Sequence, residues 1–129
     1  MKEITRTIEL NAEPETVYKW LTAPHHLQQW FSDHVEKTDD GYTFQWNVQD
    51  GNTVGFSVTT TQQDPHRRFA YKSAEDNVET RFDVATNGEK TIVLLTESGF
   101  GADKAGQKLY EEHNGGWDWF LSRLQQMDT

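Results

Sequence analysis

The chain has 129 residues, no cysteine, and 21 acidic against 12 basic side chains, which gives a formal net charge of −9. This length fits one domain, 1–129, and the lack of cysteine excludes disulfides, thiolate catalysis and cysteine-based metal sites. The acidic balance argues against a nucleic-acid partner, and no apolar segment reaches the ~20 residues that a membrane helix needs. Because the N-terminus carries no signal-peptide pattern, we expect a cytoplasmic protein without membrane insertion.

The predicted elements begin with one strand and two short helices. Alternation over residues 3–10 predicts a strand with one face made of Ile4, Arg6, Ile8 and Leu10. Pro14 suits the first turn of a helix. Pro24 interrupts that helix, so a second short helix is predicted from residue 24 to residue 30.

Residues 35–98 then change to a period of two, which predicts about six antiparallel strands. Turn signals at residues 50–52 and 87–88, together with Pro65, separate the strands. Between residues 78 and 84 apolar and charged side chains alternate, so the charged side should face water. Residues 92–95 are apolar on both faces, and the period alone does not assign their inward side.

A long C-terminal helix closes the chain, with Asp103 as a plausible N-cap. At 3.6 residues per turn, one face of this helix carries a largely apolar stripe of Leu109, His113, Trp117, Phe120, Leu121 and Leu124. Only this helix is long enough to cover the dry face of the sheet. We therefore predict an α+β fold, in which a curved antiparallel sheet of about six to seven strands wraps around the C-terminal helix.

Four stretches resemble a known family: residues 13–18, residues 21–31, residues 96–100, and residues 113–117 with Leu121 and Leu124 after them. The order of elements resembles the helix-grip fold of the START/Bet v 1-like (SRPBCC) superfamily. The motifs resemble its branch named after the heat-shock-protein-90 ATPase activator, in the activator-homologue C-terminal-like domains. One departure is the acidic stretch at residues 39–42, where the family often has a glycine-rich, basic approach to the central strands.

The resemblance implies an internal cavity, between sheet and long helix, that holds an apolar or aromatic small molecule. Superfamily members bind lipids, plant hormones or polyketide-like rings, and some are cyclases or hydrolases, so the resemblance implies no particular chemistry. Apolar candidates for the cavity wall are Trp30, Phe44, Trp46, Phe56, Val58, Phe69, Tyr71, Phe82, Phe100, Trp117 and Phe120. The alternative is that the same residues form a filled, close-packed core.

The polar candidates are His113 and Glu97. His113 could hydrogen-bond a ligand, or act as a base if chemistry occurs, because its unperturbed pKa of ~6.5 lies near neutrality. Alternatively, His113 is a buried histidine satisfied by a backbone carbonyl or by Glu97, and the pair would then be a polar anchor. No metal site is predicted, because His25 and His26 are adjacent and point apart. We expect no cofactor and assign no catalytic residue.

Three functions remain open from the sequence. We favour a non-enzymatic binder of a hydrophobic small molecule, such as a lipid or a polyketide. The alternatives are a chaperone-associated interaction module of the stress response, and an enzyme that uses His113 as acid or base. The expected partners are accordingly a small-molecule ligand and, in the second case, a chaperone or another protein, with the chain as a monomer or weak dimer.

Overall fold

The computed structural model describes residues 2–128, and its sheet has seven antiparallel strands in the order β1-β7-β6-β5-β4-β3-β2. The strands are β1 (Ile4–Leu10), β2 (His34–Lys37), β3 (Gly41–Asn47), β4 (Thr53–Asp64), β5 (Arg68–Ser73), β6 (Glu79–Thr86) and β7 (Thr91–Ser98). The helices are α1 (Pro14–Thr22), α2 (Pro24–Trp30) and α3 (Lys104–Gln126), and a single 3-10 turn (Gln49–Gly51) joins β3 to β4. The predicted α+β architecture is confirmed.

Prolines and one aspartate fix the helix boundaries. Pro14 and Pro24 each stand in the first turn of a helix. Ala23 lies between α1 and α2 with an extended backbone (φ −78°, ψ 128°), as the residue before a proline prefers. Asp103 caps α3, and its carboxylate accepts a 2.9 Å hydrogen bond from the Gly106 backbone N–H. The predicted break at Pro24 and the predicted cap are both confirmed.

Three strands align polar side chains across the inner face of the sheet. In the antiparallel register, Tyr71 of β5 lies opposite Thr80 of β6, and Thr80 lies opposite Glu97 of β7. Because directly opposed residues lie on the same face of a sheet, these three side chains form one row. On the next strand, Ile4 of β1 lies opposite Glu97 and extends the row with an apolar side chain.

The longest strand carries an irregularity that helps the sheet to bend. The pairing of β4 with β5 shifts between Thr60 and Gln62, as in a β-bulge. A bulge bends its strand and increases the local twist. The sheet curves around α3 as predicted, and the pocket described below lies between the two.

The helix α3 packs with the predicted stripe against the sheet. Trp117, Leu121 and Leu124 are buried, and Leu109, His113 and Phe120 are partly buried. Arg6 of β1 fixes the helix from the edge of the sheet, because its guanidinium donates to Asp118 at 2.8 Å and to the Asn114 side chain at 2.9 Å. Among residues 2–128, no helix combines the length and hydropathy that crossing a bilayer requires.

Candidate functional site

A pocket of about 430 Å³ lies between the inner face of the sheet and the middle of α3. This volume falls in the range of about 300–1,000 Å³ that is typical of small-molecule sites. The lining residues come from the end of α2, from β3 to β7 with the β5–β6 turn, and from α3. They are Phe31, Trp46, Gly55, Phe56, Tyr71, Ser73, Glu75, Asp76, Val78, Thr80, Glu97, Leu109, Glu112, His113, Gly116, Trp117 and Phe120.

The structure brings together about half of the residues that the sequence nominated. Those that line the pocket are Trp46, Phe56, Tyr71, Glu97, His113, Trp117 and Phe120. The others are buried in the core and do not line it: Trp30, Phe44, Val58, Phe69, Phe82 and Phe100. The inward face of the sheet is larger than the pocket. An inward position in a strand therefore does not decide whether a side chain lines the pocket or packs in the core. A role of any of these residues in ligand binding stays a prediction.

The carboxylate of Glu97 is the polar centre of the pocket wall. Glu97 is only 2% exposed, and three side chains contact its two oxygens. The Thr80 hydroxyl donates to Oε2 at 2.5 Å, the Trp117 indole Nε1 donates to Oε1 at 2.6 Å, and His113 Nδ1 lies 3.0 Å from Oε1. These contacts offset the cost of removing a carboxylate from water. Glu97 thereby satisfies His113, as one of the alternatives from the sequence proposed.

Burial and the surrounding carboxylates act in opposite directions on the pKa of His113. Burial acts to lower the pKa of His113, but the hydrogen bond and the negative charge of Glu97 raise it, and Asp76 and Glu112 add to that effect. The net result is a pKa above the ordinary value of histidine. The ring also packs edge-on against Phe100, with a centroid distance of 5.5 Å. The raised pKa favours protonation of His113 next to Glu97 on the pocket wall.

Two polar side chains of β5 face the pocket beside this centre. Tyr71 is buried, and its burial together with the charge of Glu97 raises the pKa of its hydroxyl, which stays neutral as a result. Ser73 is 7% exposed, and its Oγ has no hydrogen-bond partner among residues 2–128. A buried hydroxyl without a partner is unusual in a folded protein and costs free energy. Ser73 therefore contributes a buried hydroxyl without a partner at the pocket lining, within residues 2–128.

Aromatic rings form a further part of the pocket wall, with Phe31 at their centre. Phe31 stacks on Trp117 at a centroid distance of 5.8 Å and meets Phe120 at 5.1 Å. Trp46 packs parallel to Phe56 at 5.7 Å, and its indole N–H donates to the Phe31 carbonyl at 2.7 Å. Sequence reasoning missed Phe31 as a wall residue. The signal was present, because Phe31 ends the family-like stretch at residues 21–31.

The mouth of the pocket is acidic. Glu75 and Asp76 lie in the turn between β5 and β6, and Glu112 lies on α3; all three are exposed. The lining includes no lysine and no arginine. The position of Glu112 at the mouth depends on the packing of α3. Within residues 2–128, no group of three or more histidine, aspartate or glutamate side chains is arranged to hold a metal ion.

Comparisons with solved structures find the same fold. The Aha1 dimer of Colwellia psychrerythraea superposes with a TM-score of 0.79 at 22% identity, over 99% of this chain and 96% of that one. Protein CV1439 of Chromobacterium violaceum gives 0.80 at 19% identity, over 99% and 98%. DynU16, from the dynemicin biosynthetic locus, gives 0.78 at 17% identity, over 96% of this chain and 46% of that one.

No curated protein sequence matches this chain. The family model described as "Activator of Hsp90 ATPase homolog 1-like protein" matches residues 11–127, which is most of the chain. This match agrees with the resemblance found in the sequence motifs and with the solved structures of similar fold. The chain therefore belongs to the Activator of Hsp90 ATPase homolog 1-like protein family.

Proposed function

We propose that this protein binds a hydrophobic or aromatic small molecule in the pocket between the sheet and α3, without changing it chemically. The observation that carries the proposal is the composition of the pocket wall. Six of its 17 lining residues carry an aromatic ring, three side chains contact the buried carboxylate of Glu97, and Ser73 adds a hydroxyl without a partner in residues 2–128. Apolar walls supply affinity, and a few placed polar groups fix the orientation of a ligand.

The state of Glu97 supports binding rather than catalysis. All three of its side-chain contacts come from the chain itself, so this carboxylate holds α3 and the sheet together. His113 contributes one ring nitrogen to the same cluster. An enzyme that uses His113 as acid or base is a weaker alternative. It would be favoured if a reaction were found that His113→Ala abolishes while an apolar ligand stays bound.

A thermal-shift screen tests the proposed binding. The panel should contain flavonoid-like, polyketide-like and fatty-acid compounds. A ligand present at 100 times its dissociation constant adds about 2.7 kcal/mol to the free energy of unfolding. We expect at least one class to raise the melting midpoint in a saturable manner. If no compound raises it, the binding proposal is wrong.

Two neighbouring residues of α3 provide a matched pair of variants for this screen. Phe120 lines the pocket, whereas Trp119 is 59% exposed. We expect Phe120→Ala to change the affinity of any compound found, because it removes one aromatic ring from the wall. Trp119→Ala should change that affinity much less, because its exposed ring only meets Phe120 edge-on, at a centroid distance of 5.2 Å. Equal effects of the two variants would place the compound outside the pocket.

The alternative is a chaperone-associated interaction module of the stress response, and one surface feature favours it. Trp119 is a large exposed ring, and the Arg123 guanidinium lies over it at 4.8 Å. Exposed tryptophan and arginine are the side chains most enriched at binding hot spots. Capture of Hsp90 by the wild type but not by Trp119→Ala, with no ligand found in the screen, would favour this alternative.

Location and assembly complete the proposal. The lack of cysteine supports a reducing compartment such as the cytoplasm. We propose a monomer or a weak dimer. The Colwellia psychrerythraea protein has the same fold and forms a dimer, which supports the dimeric state. Sedimentation over a range of protein concentrations would distinguish the two states.

A further inference from the structure

The charged side chains on the pocket lining indicate which charge its ligand carries. Four carboxylates lie on its lining, at Glu75, Asp76, Glu97 and Glu112, and the lining contains one histidine but no lysine or arginine. Even with His113 protonated, negative groups remain in excess. A cleft lined by one sign of charge concentrates the field at its opening and favours ligands of the opposite sign.

The carboxylates are not all equivalent, because only Glu97 is held by several side chains of the protein. Glu97 is engaged by Thr80, Trp117 and His113. Asp76 accepts one hydrogen bond through Oδ1, at 3.1 Å from the Val78 backbone N–H. Within residues 2–128, no basic side chain forms an ion pair with Glu75, Asp76 or Glu112. The negative charge of the mouth is therefore available to a ligand.

A second observation points to the same end of the pocket. Ser73 begins the β5–β6 turn that carries Glu75 and Asp76: its backbone N–H donates to the Val78 carbonyl, and its own carbonyl accepts from Asn77. Ser73 is a residue of the pocket lining, and its Oγ is buried without a partner within residues 2–128. A hydroxyl next to carboxylates can accept a hydrogen bond from a cationic donor while the carboxylates supply the counter-charge.

The aromatic part of the pocket wall suits the rest of such a molecule. Phe31, Trp46, Phe56, Trp117 and Phe120 offer ring faces and edges. Aromatic faces attract both aromatic rings and cations. A carboxylate ligand, in contrast, would bring its charge toward a mouth of the same sign and would find no basic side chain on the lining.

We infer that the pocket takes an aromatic molecule with a protonated amine, with its rings on the aromatic wall and its ammonium group at the end formed by Ser73 and Asp76. The inference rests on the proposed binding function and specifies its ligand class. It also orders the compounds that should bind: amines ahead of neutral analogues, and neutral analogues ahead of carboxylates.

Three probes with the same ring system test the order: 2-naphthylmethylamine, 2-naphthylmethanol and 2-naphthoate, each titrated calorimetrically into the full chain. We expect the amine to bind about tenfold more tightly than the alcohol, since charge-assisted contacts are roughly twice as strong as neutral ones, and 2-naphthoate to bind most weakly. Raising the salt from about 20 mM to about 500 mM should reduce the preference for the amine, because exposed carboxylates are screened.

A double variant locates the preference. Asp76→Asn with Glu112→Gln removes two mouth charges, and the asparagine keeps an oxygen for the Val78 N–H. Its control is Glu9→Gln with Glu36→Gln, which removes two exposed charges from β1 and β2. We expect the amine-to-alcohol affinity ratio to fall toward one in the mouth variant and to persist in the control.

The outcomes separate this inference from the proposed function. If the alcohol binds and the amine binds no better, or 2-naphthoate binds best, the charge inference is wrong while the pocket remains a binding site. If the ratio is the same in both double variants, the amine does not bind at this mouth and the inference is likewise overturned. If none of the three probes binds, the inference fails together with this support for the pocket as an aromatic site.

Discussion

Glu97 and Trp117 meet in the interior of the protein, where the indole Nε1 donates a 2.6 Å hydrogen bond to Glu97 Oε1. The contact joins β7 to α3 and is supported one turn earlier on the helix by His113, which approaches the same oxygen at 3.0 Å. Both sides of the pocket are therefore fixed by one buried carboxylate. A change at Glu97 should affect the stability of the fold and the shape of the pocket together.

Removing the Glu97 side chain should cost about 3–5 kcal/mol in the free energy of unfolding, because Glu97→Ala leaves buried donors on Thr80 and Trp117 without an acceptor. Glu97→Gln should cost less, since its amide oxygen can still accept from Trp117 and its amide nitrogen can donate to the Thr80 hydroxyl. Urea unfolding measures both values. The control Glu9→Ala, on an exposed position of β1, should stay within about 0.5 kcal/mol of the wild type. Equal costs for the alanine and glutamine variants of Glu97 would contradict this account.

The contact between His113 and Glu97 should make stability depend on pH. The pKa of His113 is raised in the folded protein: burial opposes the shift, and the hydrogen bond and charge of Glu97 outweigh it. A raised folded pKa contributes stability that is fully present below the unfolded value of about 6.5 and is lost as the pH rises through the folded value. The stability difference between wild type and His113→Gln should therefore shrink from pH 5.5 toward alkaline pH. His34→Gln, on the exposed strand β2, is the matched control. A difference that is constant with pH would show that His113 does not titrate against Glu97.

Ser73 and Thr80 should respond in opposite ways to loss of their hydroxyls. Thr80→Val removes a hydrogen bond to a buried carboxylate and should cost about 1.5–3 kcal/mol. Ser73→Ala removes a buried hydroxyl that has no partner in the chain, so the free energy of unfolding should stay equal or rise by up to about 1 kcal/mol. The same Ser73→Ala variant should bind 2-naphthylmethylamine more weakly than the wild type does. A loss of stability in Ser73→Ala would mean that its hydroxyl is already satisfied in the free protein.

The sequence predicted the order of elements because its periodic signals are strong. Alternation, the two prolines and the stripe on α3 each rest on local chemistry, and each agrees with the structure. The side of β7 was ambiguous, since residues 92–95 are apolar on both faces. The structure turns Val93 and Leu95 inward, and Glu97, which has the same parity, must then follow them. A polar residue at an inward position is the signal that marks the centre of the site.

The remaining site residues could not be derived from period alone. Ser73 continues the inward parity of Phe69 and Tyr71 on β5, but a serine at a strand end also suits a solvated turn. Phe31 follows the end of α2, where no repeat predicts its direction. Asp76 and Glu112 lie far apart in sequence and meet at the mouth only because α3 packs beside the β5–β6 turn. Such positions depend on long-range packing, which a single sequence does not specify.

Two consecutive glycines of α3 give a direct test of the pocket. Gly116 lines it, and a Cβ built there would lie 3.7 Å from the Phe120 ring, an ordinary contact. Gly115 is exposed, and a Cβ there would meet nothing within 4 Å. Alanine at either position should stabilise the helix by about 0.5–1 kcal/mol, because glycine is a poor helix former. Thermal unfolding should therefore show similar gains for Gly115→Ala and Gly116→Ala.

Larger side chains at the same two positions should separate helix stability from ligand binding. Gly116→Leu places an isobutyl group in the pocket, so we expect the affinity for 2-naphthylmethanol to fall at least about tenfold, which corresponds to about 1.4 kcal/mol. Gly115→Leu carries the same side chain on the exposed face and should bind the probe as the wild type does. Circular dichroism of both variants checks that α3 is intact. If the two leucine variants bind the probe equally well, the naphthyl ring does not occupy the space between α3 and the sheet.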